Sequence, residues 1–274
     1  MNPETLQKFV MSKKVNQHQR AAKAWEVLIK VAEKKDFVRY KELGDKIGIH
    51  YRVVRFVLAV IQDYCLENNL PPLTILIGDE NGMPGKGFTA WDRDNIDQGK
   101  EEVYNCNWAS LQNPFRFALK GEREADLITT LLEKPEKSKE VYQKVKARGM
   151  AQIIFRKALL KAYKSRCAIC GVSYKFVLKA AHIIPWSKSS SKQKMDVCNG
   201  LLLCANHHSL FDKGHIKIDS DYNLIINPKL KQITNQDKTL TRNFNNQKIR
   251  LPKNNLWWPN SKYLASHRET KPTS

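Results

Sequence analysis

Between Cys167 and Asp219 the chain places Cys167, Cys170, His182, Cys198, Cys204, His207, His208 and His215. The whole sequence has six cysteines and seven histidines, so this one stretch holds most of its ligand-type side chains. Spacing separates them into two sets. Cys167-x2-Cys170 and Cys204-x2-His207 are short-spaced pairs with 33 residues between them. Thiolate and imidazole pairs at such a separation suit a tetrahedral zinc that clamps the ends of a loop together. Four protein ligands leave no open position, so this Zn2+ would be structural. Gly171 permits the tight turn that aims both sulfurs inward. The plain alternative is buried free cysteine, a common core residue. Cys198 is the spare that could displace His207, whereas Cys65 and Cys106 read as ordinary core residues.

The second set has a different spacing. His182 lies in the strand-like run Val177-Leu178-Lys179-Ala180-Ala181-His182-Ile183-Ile184, which Pro185 ends. Asn199 precedes Gly200 and the apolar Leu201-Leu202-Leu203, His208 follows, and Asp212 lies four residues further on. An i, i+4 pair projects from one helix face, so His208 and Asp212 could ligate one divalent ion. Adjacent helical residues point about 100° apart, so His207 can face the first set while His208 faces the second. His215 falls outside both patterns.

The formal charge of +20, from 47 Lys plus Arg against 27 Asp plus Glu, points to a polyanionic partner, with nucleic acid first. With 274 residues the chain can form two ordinary domains, each with its own core. MNPETLQKFVMSKKVNQ has no apolar signal-peptide core, and no apolar run approaches the roughly 18–20 residues of a membrane span. The expectation is a cytoplasmic, intracellular protein with no membrane partner. In a reducing compartment its cysteines favour metal over disulfides.

Upstream, Trp25, Leu28, Ile29 and Ala32 mark a helix over 18–35, KELGDKIG a second, and residues 50–68 a third that Pro71-Pro72 stops. LTILIG and KGFTAW flank DENGMPG, whose Asn81-Gly82 predicts a hairpin. Three helices and a hairpin in that order are the parts of a winged helix-turn-helix. Tyr51, Arg52 and Arg55 would then enter a DNA major groove, and Lys86 would lie on the hairpin along the backbone. The plain alternative is a small helical domain with solvated arginines. The charged residues 121–146 read as an exposed helical connector, and the Ser/Lys run at 187–194 as a loop.

The order His182, Asn199, His208, carried by AAHIIPW, NGLLLC and HHSLFDKG running into IKID, resembles the HNH endonuclease family with its ββα-metal fold. FRKALLKAY and WPNSKYLASHRE also look like flanks of restriction-type members, so the resemblance spans roughly residues 147–269. It implies that His182 is the general base and that His208 holds a catalytic Mg2+ or Mn2+. It places Asp212 as a second ligand, and Asn199 as the residue that fixes the loop between strand and helix. It also implies 5′-phosphate and 3′-hydroxyl products. Arg156, Lys179 and Lys213 are candidate phosphate clamps, although on so basic a surface a solvated charge is the more ordinary reading of each. Where many relatives carry Asp or His before the base, this chain has Ala181.

The resulting expectation is an α+β chain. Residues 1–120 form a winged-helix-like DNA-recognition domain, 121–146 the connector, and 147–274 a zinc-stabilised HNH nuclease domain. The expected function is site-specific cleavage of double-stranded DNA, as a restriction or phage-defence enzyme, compatible with a homodimer. Two other readings stand beside it: a DNA-binding regulator with a non-catalytic HNH scaffold, and an RNA-directed nuclease.

Overall fold

The computed structural model describes residues 15–231 and 233–273. The chain divides into two compact units. One runs through Glu124 and includes Ala147–Met150; the other comprises Ala125–Lys146 and Ala151–Ser274. No helix among the described residues is long and apolar enough to cross a membrane.

The first unit is built on α1 (Gln17–Glu33), α2 (Tyr40–Ile47) and α3 (Tyr51–Glu67). α1 turns Ala21, Ala22, Ala24, Trp25 and Leu28 inward, and α3 answers with Val54, Val57, Leu58, Ile61 and Tyr64. The small alanines let the two helices approach, and Trp25 meets Tyr64, Trp108 and Phe115 edge-on at 5.6–5.9 Å. Gly48, at φ 73°, ends α2, and the His50 ring caps α3 by accepting from the Arg52 amide. This backbone conformation costs glycine little.

The expected hairpin does not form. Leu73–Leu76 is a 3-10 turn, and β2 (Ile77–Gly78) pairs in parallel with β1 (Val38–Arg39). Beyond it, the Asp79 carboxylate accepts from the amides of Asn81 and Met83 and closes a compact loop. The next backbone groups are used by side chains: the Gly85 amide donates to the Tyr40 hydroxyl, and Arg93 donates to the Pro84 and Gly85 carbonyls. Within KGFTAW the Phe88 amide closes a turn onto the Gly85 carbonyl at 3.0 Å and is not free for a strand ladder, so the run is irregular and Lys86 sits on a loop, not a wing. α4 (Ile96–Asn105) follows.

Residues 121–146 also differ from an exposed connector. They form α5 (Glu124–Glu133) and α6 (Ser138–Val145), with Leu127, Ile128, Leu131, Leu132, Val141 and Val145 buried. The mixed charges had masked apolar positions at helical spacing. From Ala125 onward they group with the second unit.

α7 (Arg148–Ala162), which belongs to that unit from Ala151 on, leads to the cysteine knuckle, then β3 (Leu178–His182), β4 (Gly200–Cys204) and α8 (Ala205–Asp212). β3 and β4 are antiparallel, with Leu178 opposite Cys204 and His182 opposite Gly200. β4 is buried along its whole length, which is why it reads as an unbroken apolar run. At Gly200 an added Cβ would lie 2.6 Å from the Phe155 ring and 2.7 Å from Leu159, so glycine is what admits α7 this close. A second hairpin, β5 (Ile216–Ile218) with β6 (Leu224–Ile226), is followed by α9 (Asn235–Leu240) and α10 (Ser261–Arg268). From α10, His267 stacks flat on Phe211 of α8 at 3.8 Å and donates to its carbonyl.

Candidate active site

Cys167, Cys170, Cys204 and His207 converge, their ligand atoms all within 4.8 Å of one another. Cys170 Sγ lies 3.9 Å from Cys204 Sγ, and His207 Nδ1 lies 3.7 Å from Cys167 Sγ and 3.1 Å from Cys204 Sγ. Tetrahedral zinc with bonds of about 2.0–2.3 Å has ligand–ligand edges of roughly 3.5–3.8 Å, so the cluster fits that ion. Local backbone explains the convergence. The Cys167 amide bonds the Val172 carbonyl and the Gly171 amide the Cys167 carbonyl, with Gly171 at φ 77°. His207 Nε2 lies 2.9 Å from the Leu240 carbonyl, which fixes the proton there and leaves Nδ1 for the metal. Hydrogen bonds from Cys170 and Cys204 hold the Cys167 thiol far below its ordinary value, favouring the thiolate that ligates. Cys198 takes no part: its thiol donates to the Leu256 carbonyl at 3.1 Å, and burial pushes it up to about 12.

His182 stands at the end of β3 in an aromatic recess. Its ring stacks on Phe155 at 4.1 Å and meets Trp186 edge-on at 5.5 Å. Nε2 lies 3.1 Å from the Lys194 carbonyl, so this nitrogen carries the hydrogen and Nδ1 keeps its lone pair. Burial lowers its pKa to about 4, opposed by the Lys194 carbonyl and reinforced by His208, so the imidazole is neutral at physiological pH.

Asn199 is wholly buried. Its Oδ1 accepts from the Ile184 amide at 2.8 Å, and its Nδ2 donates to the Gln193 carbonyl at 3.0 Å and Ile184 carbonyl at 3.3 Å. It ties together the loop between β3 and β4, not one between strand and helix. That loop supplies the Lys194 carbonyl that holds His182.

On α8, His208 Nδ1 and Asp212 Oδ2 are 3.3 Å apart, the side chains 27% and 49% exposed. Partial burial raises the Asp212 carboxyl above its usual value, and His208 offsets this. Adjacent ligand atoms of an octahedral Mg2+ or Mn2+ shell are separated by roughly 3 Å, so this pair fits two positions of one. Among the described residues no third ligand-type side chain joins it. Ala181 is buried and opposite Leu201.

The candidate clamps part company. Arg156 spends its guanidinium on the backbone, donating to the Lys175 carbonyl at 2.8 Å and the Leu178 carbonyl at 3.2 and 3.3 Å. Lys179, on β3, and Lys213, directly after Asp212, are exposed. In the first unit Tyr51, Arg52 and Arg55 are exposed at the start of α3, with the Arg52 guanidinium 5.7 Å from the Tyr51 ring and that of Arg55 4.7 Å from Phe56. Sequence reasoning missed Phe155 and the Lys194 carbonyl as partners of His182. FRKALLKAY was visible only as a flank, and a backbone acceptor has no residue-type signal.

Two strands and a helix, with a recessed imidazole on the first strand and an imidazole–carboxylate pair on the helix, define a nuclease domain of the HNH class. Residues 167–219 match the family described as HNH endonuclease. A solved structure described as a "Modification dependent TagI restriction endonuclease" is 21% identical, over 41% of this chain and 35% of that one, with a TM-score of 0.28. The chain thus spans about a third of that protein. No curated protein matches the chain.

Proposed function

We propose that the protein is a metal-dependent DNA endonuclease that hydrolyses phosphodiesters to 5′-phosphate and 3′-hydroxyl ends, acting on chosen sites as a restriction or phage-defence enzyme. The observation that carries this reading is the fixed tautomer of His182, whose Nε2 hydrogen is engaged by the Lys194 carbonyl while its ring, close enough to His208 to feel its charge, stays neutral. Nδ1 can take the proton from a water as that water attacks phosphorus. Phe155 and Trp186 hold the ring at one angle and exclude bulk water from its flank. His208 and Asp212 would hold Mg2+ or Mn2+, with water and DNA phosphate completing the shell. A cation there supplies charge stabilisation at the phosphate and the leaving oxygen. Cys167, Cys170, Cys204 and His207 would hold Zn2+, fixing α8 against β4 so that the adjacent His208 points away from it.

Lys179 and Lys213 flank this site as phosphate contacts. The exposed Tyr51, Arg52 and Arg55, with Lys86 on its loop, would read or grip double-stranded DNA from the first unit, and cutting both strands favours a homodimer. That no third ligand-type side chain among the described residues joins His208 and Asp212 supports a second reading, a DNA-binding regulator with an inactive HNH scaffold. Incubation with plasmid and Mg2+ or Mn2+, against a His182→Ala control, separates the two. Wild type should nick and linearise the plasmid and the variant should not; equal nicking by both, or none by either, would overturn the enzyme reading.

A further inference from the structure

The segment between the cysteine knuckle and β3 displays two aromatic rings. Tyr174 is 65% and Phe176 79% exposed, and their rings stack on each other at 5.7 Å with planes 28° apart. Leaving two large apolar faces in water is unfavourable unless a partner covers them. The backbone beneath them is held firmly. Arg156 grips the Lys175 and Leu178 carbonyls, the Val177 amide closes a turn onto the Tyr174 carbonyl, and the Cys167 amide bonds the Val172 carbonyl. The rings are therefore presented from fixed positions, which lowers the entropic cost of binding.

Charge selects the partner. From Val141 to Met195 the chain carries 13 lysines and arginines and no aspartate or glutamate. Lys175 and Lys179, interleaved with the two aromatics, are exposed. Aromatic faces alternating with cations in an acid-free stretch suit a polyanion with flat apolar faces, the combination found in DNA with an unpaired base. The ring spacing selects the mode. A base sandwiched between two rings needs them about 6.8 Å apart, twice the stacking distance of roughly 3.4 Å. At 5.7 Å the pair admits nothing between its members, so a base must lie on an outer face, and Phe176 is the more open of the two. Phe176 and His182 are six residues apart, at most about 20 Å of extended chain, or roughly six base steps.

We propose that Tyr174 and Phe176 form a platform on which one unpaired base of the DNA substrate stacks while the strand passes the HNH site. The proposal rests on the nuclease reading for the presence of DNA, but its test is a binding measurement. In the full chain carrying His182→Ala, affinity is measured for a duplex with a short central bubble containing 2-aminopurine, and for the fully paired duplex. Phe176→Ala and Tyr174→Ala should each weaken bubble binding by about 5- to 150-fold, with a smaller loss on paired DNA and altered 2-aminopurine quenching. Phe176→Trp should keep bubble binding, and Phe176→Leu should not. Unchanged affinity in the alanine variants would overturn the platform. So would full rescue by leucine, or an effect confined to self-association in sedimentation. If wild type cuts no DNA yet bubble binding depends on Phe176, the nuclease reading fails and the platform stands; cleavage with Phe176-independent binding gives the reverse.

Discussion

The phenyl ring of Phe155 lies against the imidazole of His182, centroids 4.1 Å apart and planes 19° from parallel. The contact crosses from α7 to the end of β3 through the space that Gly200 leaves open. A strand-end histidine has rotameric freedom that the proposed general base could not use, and this stack restricts it. Phe155→Leu should retain the fold, lose about 1–2 kcal/mol of stability, and cut plasmid about 10- to 100-fold more slowly, because the base is no longer held at its angle. Thermal melts beside initial nicking rates check this. Wild-type cleavage by a destabilised variant would mean the stack is packing alone.

The Cys167, Cys170, Cys204 and His207 cluster should bring close to one zinc per chain through purification. Cys167→Ser should lose that zinc and several kcal/mol of stability, lowering Tm by about 10 °C or more. Cys198→Ser is the control: its thiol bonds the Leu256 carbonyl instead of joining the cluster, so zinc content should not change. Metal analysis of the three proteins decides it, and a fully stable, zinc-free wild type would remove the zinc assignment.

Much of this site could be read from spacing, because spacing acts through local geometry. The two ligand pairs, the i, i+4 relation of His208 and Asp212, and the three helices of the first unit each follow from periods of a few residues. What stayed hidden depends on groups distant in sequence or without residue-type signal. In place of the hairpin strand the Phe88 amide closes locally onto the Gly85 carbonyl, a turn that no residue type announces. Residue type makes Arg156 a candidate clamp or a solvated charge, and neither reveals that its guanidinium bonds the Lys175 and Leu178 carbonyls. The C-terminal flank made sense only as the element that brings His267 onto Phe211, beneath the helix bearing His208 and Asp212.

Asp212 should tune metal demand rather than act on the proton. Asp212→Asn keeps the size of the side chain but weakens it as a ligand. The Mn2+ concentration for half-maximal cleavage should rise by at least about tenfold, with much of the rate recovered at high metal. His182→Ala should recover at no metal concentration, because it removes the proposed base. A metal titration of both variants distinguishes these outcomes; an Asp212→Asn enzyme with an unchanged metal requirement would leave His208 without its proposed partner ligand.

Acid should destabilise the protein over a defined window. Burial lowers both His182 and His267 to about 4, the latter also lowered by Lys217 and opposed by the Phe211 carbonyl. In the unfolded chain both titrate near 6.5. As pH falls below about 6.5 the unfolded state takes up protons that the folded state refuses, so stability falls with pH. The contribution is complete above about 6.5, is lost towards pH 4, and changes little below that. For the pair the loss is on the order of a few kcal/mol. Urea midpoints at pH 7.5 and 4.5 should differ accordingly. His267→Gln keeps a donor for the Phe211 carbonyl but cannot titrate, so it should narrow the difference between the two pH values even if it lowers both midpoints. Wild type and variant with the same pH dependence would show that His267 does not contribute to the acid transition.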